Sequence, residues 1–402
     1  MNRRHWLLAA GSLLAFPATA QTGGDPLPVR QPGELDIHHI DTGLGNATLI
    51  VGPDGTAILI DAGASPVSDG LTAPARPDAS LRPGQWIARY AQRHAASIDI
   101  FVATHLHPDH IGEVEATSPL SAGGDYRLTG ISDVAALMPV RRVIDRGFPD
   151  YGDRPPPDAP FARNYLAFLQ ARRRAGQPVE AFDVGSAGQI RLNAPGAFPA
   201  FQVRNLAAAG RIWDGHHGVT DQLATRPQGA AIDENLCSAA LRLAYGAFSY
   251  FAGGDLTCDT FDGRAPWRDI ETPVVRLAGS TEVAAADHHG YFDACGPAFV
   301  QSLNAQVYVV PAWHATHPGQ AQLQRLLGAW SKGTTADVFV LENVAANRAL
   351  NARFLPLVKS LRGHVVIRVE AGGARYRVFV LDSTTDRAPV TTVFGPYVCR
   401  AA

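Results

Sequence analysis

The chain has 402 residues, 46% of them hydrophobic and 18% charged, with a formal net charge of −2. That length allows two domains or one large one, and the apolar fraction supports a packed core and excludes a disordered chain. The near-balanced charge excludes a strongly basic nucleic-acid coat and a polybasic membrane binder, while 39 Gly and 29 Pro imply long loops.

Residues 1–20 read as a secretory signal. Arg3 and Arg4 precede an apolar run from Trp6 to Phe16, and Ala18 and Ala20 supply the small residues before a cut at Gln21. The arginine pair fits a twin-arginine or an ordinary export signal. The run is too short for a lasting membrane span, and no later run reaches the needed length. The expectation is a periplasmic or secreted protein with no membrane anchor. Removing the segment takes out two arginines and no acid, so the charge moves from −2 to −4. In an oxidising compartment Cys237, Cys258, Cys295 and Cys399 could pair in three ways; the expectation is one disulfide or none, and their spacing holds no C-x-x-C zinc knuckle.

Segments 35–51 and 57–63 are strand-like, joined by the turn Gly52-Pro53-Asp54-Gly55. Helical spacing follows at 84–96 through Trp86, Ile87, Tyr90 and Ala91. A short buried-type strand from Ile98 to Ala103 runs directly into a histidine cluster. Segment 119–232 is rich in Gly and Pro, with one clear helix near 160–175, and reads as an insertion over the core. The strand pattern returns at 236–256. It is followed by a helix near 296–304, the strand VYVVPA, a helix near 319–330 and a closing hairpin around Gly372-Gly373. The order implies two β-layers with helices outside, with both halves of residues 33–402 in one domain.

Residues 104–110 read Thr-His-Leu-His-Pro-Asp-His. A tight turn after a strand can aim His105 and His107 at one ion while Asp109 and His110 face a second beside it. Imidazoles and carboxylates in this density suit two divalent ions, Zn2+ in first place, with Mn2+ and Fe2+ also compatible. Asp255 follows two glycines at a strand end, where a carboxylate is placed to bridge ions. Arg146 ends an apolar run, where it can grip a carboxylate or phosphate or form a structural ion pair. His216 and His217 lie in loop-like sequence, Asn235 is placed to fix the loop near Asp255, and His38 and His39 read as core residues.

H-x-H-x-D-H after a short apolar strand resembles the metallo-β-lactamase superfamily. Asp61 in ILIDAG, Asp255 in FAGGDL and His288-His289-Gly290 occur in the matching order. The set, with the late His317-Pro318, is also similar to the exported hydrolase domain of the ComEC family of DNA-uptake proteins. The resemblance implies an α/β fold, an αββα sandwich, with a long middle insertion. It implies His105, His107, Asp109, His110, Asp255 and His288 as metal ligands, with His289 as the neighbour or, the roles exchanged, as the ligand. It implies Asp61 as support for the metal loop and Asp109 as a catalytic residue. His317 reads as a further ligand, as a residue that supports the site or donates a proton to the leaving group, or as a helix-start residue before Pro318, with the catalytic role preferred. The function it implies is hydrolysis of a phosphodiester by water that the metals activate. A lactam, lactone or thioester would use the same site, and a metal-binding module without turnover is the non-enzymatic alternative. The substrate is a small molecule or a phosphodiester. Long nucleic acid is disfavoured by the acidic charge, because phosphate neutralisation drives its affinity.

Overall fold

Three apolar runs make an antiparallel start: β1 (Leu35–His39), β2 (Thr48–Val51) and β3 (Ala57–Ile60). The computed structural model describes residues 24–68, 70–258, 263–328 and 335–400; the segment read as an export signal lies outside them. The run at 35–51 splits because residues 40–47 form a loop in which Gly43 and Gly45 take positive φ. The chain then turns to parallel crossovers. Helix α1 (Pro83–Ala91) leads to β4 (Ile98–Val102), and α2 (Pro108–Ile111) and α3 (Gly130–Leu137) lead to β5 (Val140–Asp145). Helix α4 (Pro160–Arg174) leads to β6 (Val179–Ala181), which ends one edge.

The second sheet opens with β7 (Phe201–Ala208), β8 (Arg211–Trp213) and β9 (Val219–Asp221), then the hairpin β10 (Ala240–Tyr245) and β11 (Phe248–Ala252). Three parallel strands follow, β12 (Val283–Ala285), β13 (Val307–Val310) and β14 (Asp337–Val340). They alternate with α5 (Glu271–Ala278), α6 (Pro297–Leu303) and α7 (Gln320–Leu326). After α8 (Ala345–Asn351) the chain returns to the first sheet as β15 (His364–Val369), β16 (Arg375–Leu381) and β17 (Val390–Val398). The orders are β17-β16-β15-β1-β2-β3-β4-β5-β6 and β14-β13-β12-β11-β10-β7-β8-β9.

Side chains alternate across each strand and so build three apolar layers. Ile37, Ile58 and Ile100 meet Leu243, Tyr250 and Val307 between the sheets. On the outer face of the first sheet, Leu59 and Phe101 pack against Ile87 and Phe168 from α1 and α4. On the outer face of the second, Phe251 and Tyr308 pack against Val274 and Phe299 from α5 and α6. This is the expected sandwich with helices outside. The stretch 119–232, expected to lie over the core, also builds it: β5 and β6 extend the first sheet and β7 pairs with β10 in the second. Its glycines and prolines separate short strands. The four cysteines are buried free thiols. Among the described residues, no helix is long and apolar enough to cross a membrane.

Candidate metal centre

The site grows from the ends of β3 and β4. Asp61, just past β3, sits at φ 60, a left-handed backbone that Asp tolerates better than most residues. Its N–H donates to Val102 O. One carboxylate oxygen accepts from the Thr104 N–H at 2.8 Å and the other from Thr104 Oγ1 at 2.8 Å. The second oxygen also lies 2.7 Å from His110 Nδ1. Asp61 thereby supports the metal loop, as the resemblance implies. The single turn α2 carries Asp109 and His110, with Pro108 at its first position, where no N–H is needed.

Two groups of donors stand side by side. Asp109, His110, Asp255 and His289 offer ligand atoms that all lie within 4.8 Å of one another. His289 Nε2 is 2.9 Å from Asp109 Oδ2 and 3.3 Å from His110 Nε2. Asp255 Oδ1 is 3.2 Å from His110 Nε2. Beside this group, His105 Nε2 lies 3.1 Å from His107 Nδ1 and 3.7 Å from Asp255 Oδ2. Asp255 is held at the end of β11 by its N–H, which donates to Ser238 Oγ. A buried set of imidazoles and carboxylates this close is a donor set for borderline divalent ions. The charges of the group answer one another. Burial opposes ionisation of Asp109, but His110 and His289 hold its carboxyl well below the usual range. Burial opposes protonation of His289, but Asp255 and Asp109 carry its ring up to about 9.

The structure sets His288 and His289 apart. His289, expected to be the neighbour, is the member of the compact cluster, whereas His288 Nε2 stands 3.8 Å from Asp255 Oδ2. The cause is the backbone: His288 (φ 45, ψ 44) and His289 (φ 54, ψ 17) are both left-handed, which points the two rings in different directions. His289 Nδ1 is fixed 2.9 Å from Pro311 O. His317 is buried and stacked on His289, with ring centroids 4.9 Å apart, and its Nδ1 has no hydrogen-bond partner. Burial, with His289 adding, holds its ring well below the usual histidine range.

Arg146 forms the structural ion pair: its guanidinium meets Glu234 through Nε and Nη2 and is buried. Glu234 Oε1 in turn accepts the N–H of Leu106, between His105 and His107. The sequence reading did not single out Glu234. Its only signal is its place beside Asn235, whose Nδ2 lies 3.3 Å from His288 Nε2. Asp293, which faces His288 Nδ1 at 2.7 Å, was also unread. His216 and His217 are exposed on the turn between β8 and β9. His38 and His39 are buried core residues on β1. A cavity of about 200 Å³ opens over the site, lined by Asp109, Asp255, Tyr291, Trp313, His314 and His317 among others.

Residues 40–116 match the sequence profile of the metallo-beta-lactamase superfamily. That stretch runs from the end of β1 through α2 and carries Asp61 and the His105–His110 segment. Two sheets face to face, with helices on both outer faces, complete the metallo-β-lactamase-like fold. No curated protein sequence matches the chain. Among solved structures it is similar to CmlA, a diiron beta-hydroxylase from Streptomyces venezuelae, at 14% identity and TM-score 0.42, covering 78% of this chain and 54% of that one. The chain therefore spans about half the length of CmlA. It is also similar to isothiocyanate hydrolase from Delia radicum gut bacteria, at 11% identity and TM-score 0.38, covering 82% of this chain and 95% of that one.

Proposed function

We propose that the protein is an exported hydrolase using two divalent metal ions, Zn2+ in first place, and that it cleaves a phosphodiester. The observation that carries this reading is the shared carboxylate. Asp255 reaches His110 and His289 on one side and His105 on the other, at 3.2 to 3.7 Å. When bound, two ions lower the pKa of a water and polarise the substrate oxygen. The protein's part is positioning. Asp109, with His289 at 2.9 Å, would hold the attacking water by accepting its hydrogen bond. His317 lines the cavity and, stacked on His289 with its ring held neutral by burial, positions that side chain at the site. Asp61 and Glu234 hold the histidine loop in register from behind.

A second reading, hydrolysis of a lactam, lactone or thioester, is favoured by the wall of the cavity. Tyr291 and Trp313 line it, and no arginine or lysine does so among the described residues. The test is turnover of bis-nitrophenyl phosphate, single-stranded DNA, a cephalosporin and a lactone by Zn2+-loaded protein. The His107→Ala/Asp109→Ala double variant should lose all metal-dependent hydrolysis. Wild-type turnover retained in metal-free buffer would sink the mechanism. Salt separates the substrates: cleavage of a long phosphodiester should fall steeply with salt, and lactone cleavage hardly at all. Export is tested by recovering protein that begins at Gln21 from the periplasm or medium.

A further inference from the structure

A second cavity, of about 380 Å³, lies on the outer face of the first sheet. It shares no lining residue with the cavity over the metal cluster. It stands at the other end of the strands: Val51 in its floor pairs with Ala57 at the start of β3, whereas Asp61 of the metal loop follows the end of β3. We propose that this cavity is a binding site for a small molecule with one anionic head, a carboxylate or a phosphate, and an apolar body. The site goes beyond the hydrolase reading and does not depend on it.

Three observations carry the proposal. The first is charge. Arg30, Arg93, Arg368 and Arg387 line the cavity against a single acid, Asp36. Asp36 is already answered, because its two oxygens accept from Arg368 Nε and Nη2 at 2.8 and 2.7 Å. Arg93 shares Asp386 with Arg89. Arg30 donates to the Glu34 carbonyl, and neither Arg30 nor Arg387 forms an ion pair among the described residues. Burial pushes the His94 ring, also in the lining, down to about 2, so it adds no charge. Two guanidinium groups are left at the cavity without a counter-charge, and their paired N–H donors match carboxylate and phosphate oxygens. The second observation is the apolar wall. Val51 and Leu381 of the sheet and Tyr90 of α1 belong to the outer apolar layer, and Leu27 packs against it. An apolar body can cover that wall while its head meets the arginines, and the volume is that of a small-molecule site. The third is that the walls are fixed. Arg368 Nη1 donates to Pro28 O at 2.7 Å. The Gly24 N–H donates to Val390 O and the Val390 N–H to Asp25 O, both at 2.8 Å. Residues 26–30 are thereby clipped beside the sheet, and a cavity formed in advance spares a ligand the cost of ordering it.

The test is calorimetric titration of the full chain with octanoate and octyl phosphate, with 1-octanol and inorganic phosphate as the body and the head alone. At least one of the two amphiphiles should saturate a single site, roughly 10-fold or more tightly than either part, and the tighter amphiphile identifies the head. Arg30→Gln and Arg387→Gln leave the Arg368 contacts in place and should each weaken binding about 10-fold, with Zn2+ content unchanged. Amide exchange should slow in residues 26–30 and 387–390 and stay unchanged in residues 104–110. No saturable binding of either amphiphile would overturn the proposal, as would wild-type affinity in both glutamine variants. Inorganic phosphate binding as tightly as octyl phosphate would overturn the role of the apolar wall. Slower exchange confined to residues 104–110 would place the anion at the metal cluster and overturn the second site.

Discussion

Asp61 fixes the His110 ring by charge and shape together. Its carboxylate faces Nδ1 at 2.7 Å, which leaves Nε2 toward Asp255 and His289. Asn has the same shape and also tolerates φ 60. Asp61→Asn should therefore fold, yet bind Zn2+ about 10–100-fold more weakly, measured by competition with a chelator. Unchanged affinity would mean that Thr104 alone orients His110. Buried histidines outside the cluster set an acid limit. Burial, helped by neighbouring positive charge, pushes His39 and His364 down to about 3. Unfolded, each takes a proton near 6.5; folded, each refuses it until about pH 3. Their contribution is complete above about pH 6.5 and is lost as the pH falls toward 3. By pH 5 the loss is roughly 2 kcal/mol for each ring. His364→Asn should shrink the drop in urea-derived stability between pH 7 and pH 5 by about that amount; an undiminished drop would mean that the ring titrates normally. At this scale the sequence was legible where spacing is short. His105, His107, Asp109 and His110 fall within six residues, so one strand end brings them together. His288 and His289 are adjacent, and no spacing rule separates them; only the left-handed backbone does.

Helix α2 is too short to persist alone. The chain clips it to the first sheet instead: Asn46 N–H donates to Asp109 O, Ala62 N–H to His110 O and Ala64 N–H to Pro108 O. Gly63 lies inside this clip, where a Cβ would sit 1.8 Å from Asp109 O. Gly63→Ala must push the helix off the strand ends, at a cost of about 2–3 kcal/mol, and should release bound Zn2+. Gly196→Ala meets open space and should change stability by less than about 0.5 kcal/mol. Urea midpoints and metal content of the two variants check this, and equal behaviour would show that the clip does not hold the site. The motif H-x-H-x-D-H predicted a loop here; the clip arises from residues 46 and 62–64, far from it in sequence. Other elements were legible in proportion to their apolar periodicity. The helix at Pro160–Arg174 and the hairpin β15–β16 stand where they were expected. Strand β17 went unread because Gly395 and Pro396 interrupt it, and it pairs only on one side, with β16 at the sheet edge.

The two sheets meet at the metal cluster as well as in the apolar layer between them. Asp109 and His110 follow β4 of the first sheet, whereas Asp255 and His289 follow β11 and β12 of the second. Composition and charge could not show this closure, because it depends on strands about 150 residues apart in sequence packing face to face. It has a thermodynamic consequence. An ion that binds only when both sheets are docked stabilises the whole sandwich by linkage, about 2.7 kcal/mol at a free concentration one hundred times Kd. Stripping the metal with a chelator should lower the unfolding midpoint in a single cooperative transition. Amide exchange should then accelerate together in β4 and β11, since Ile100 and Tyr250 belong to one core. Faster exchange confined to β11 would place the ions on the second sheet alone, and the histidines of the first sheet would then be bystanders. Joint acceleration would mean that the carboxylate of Asp255 and the imidazole of His110, 3.2 Å apart across the junction, are tied by the same ion.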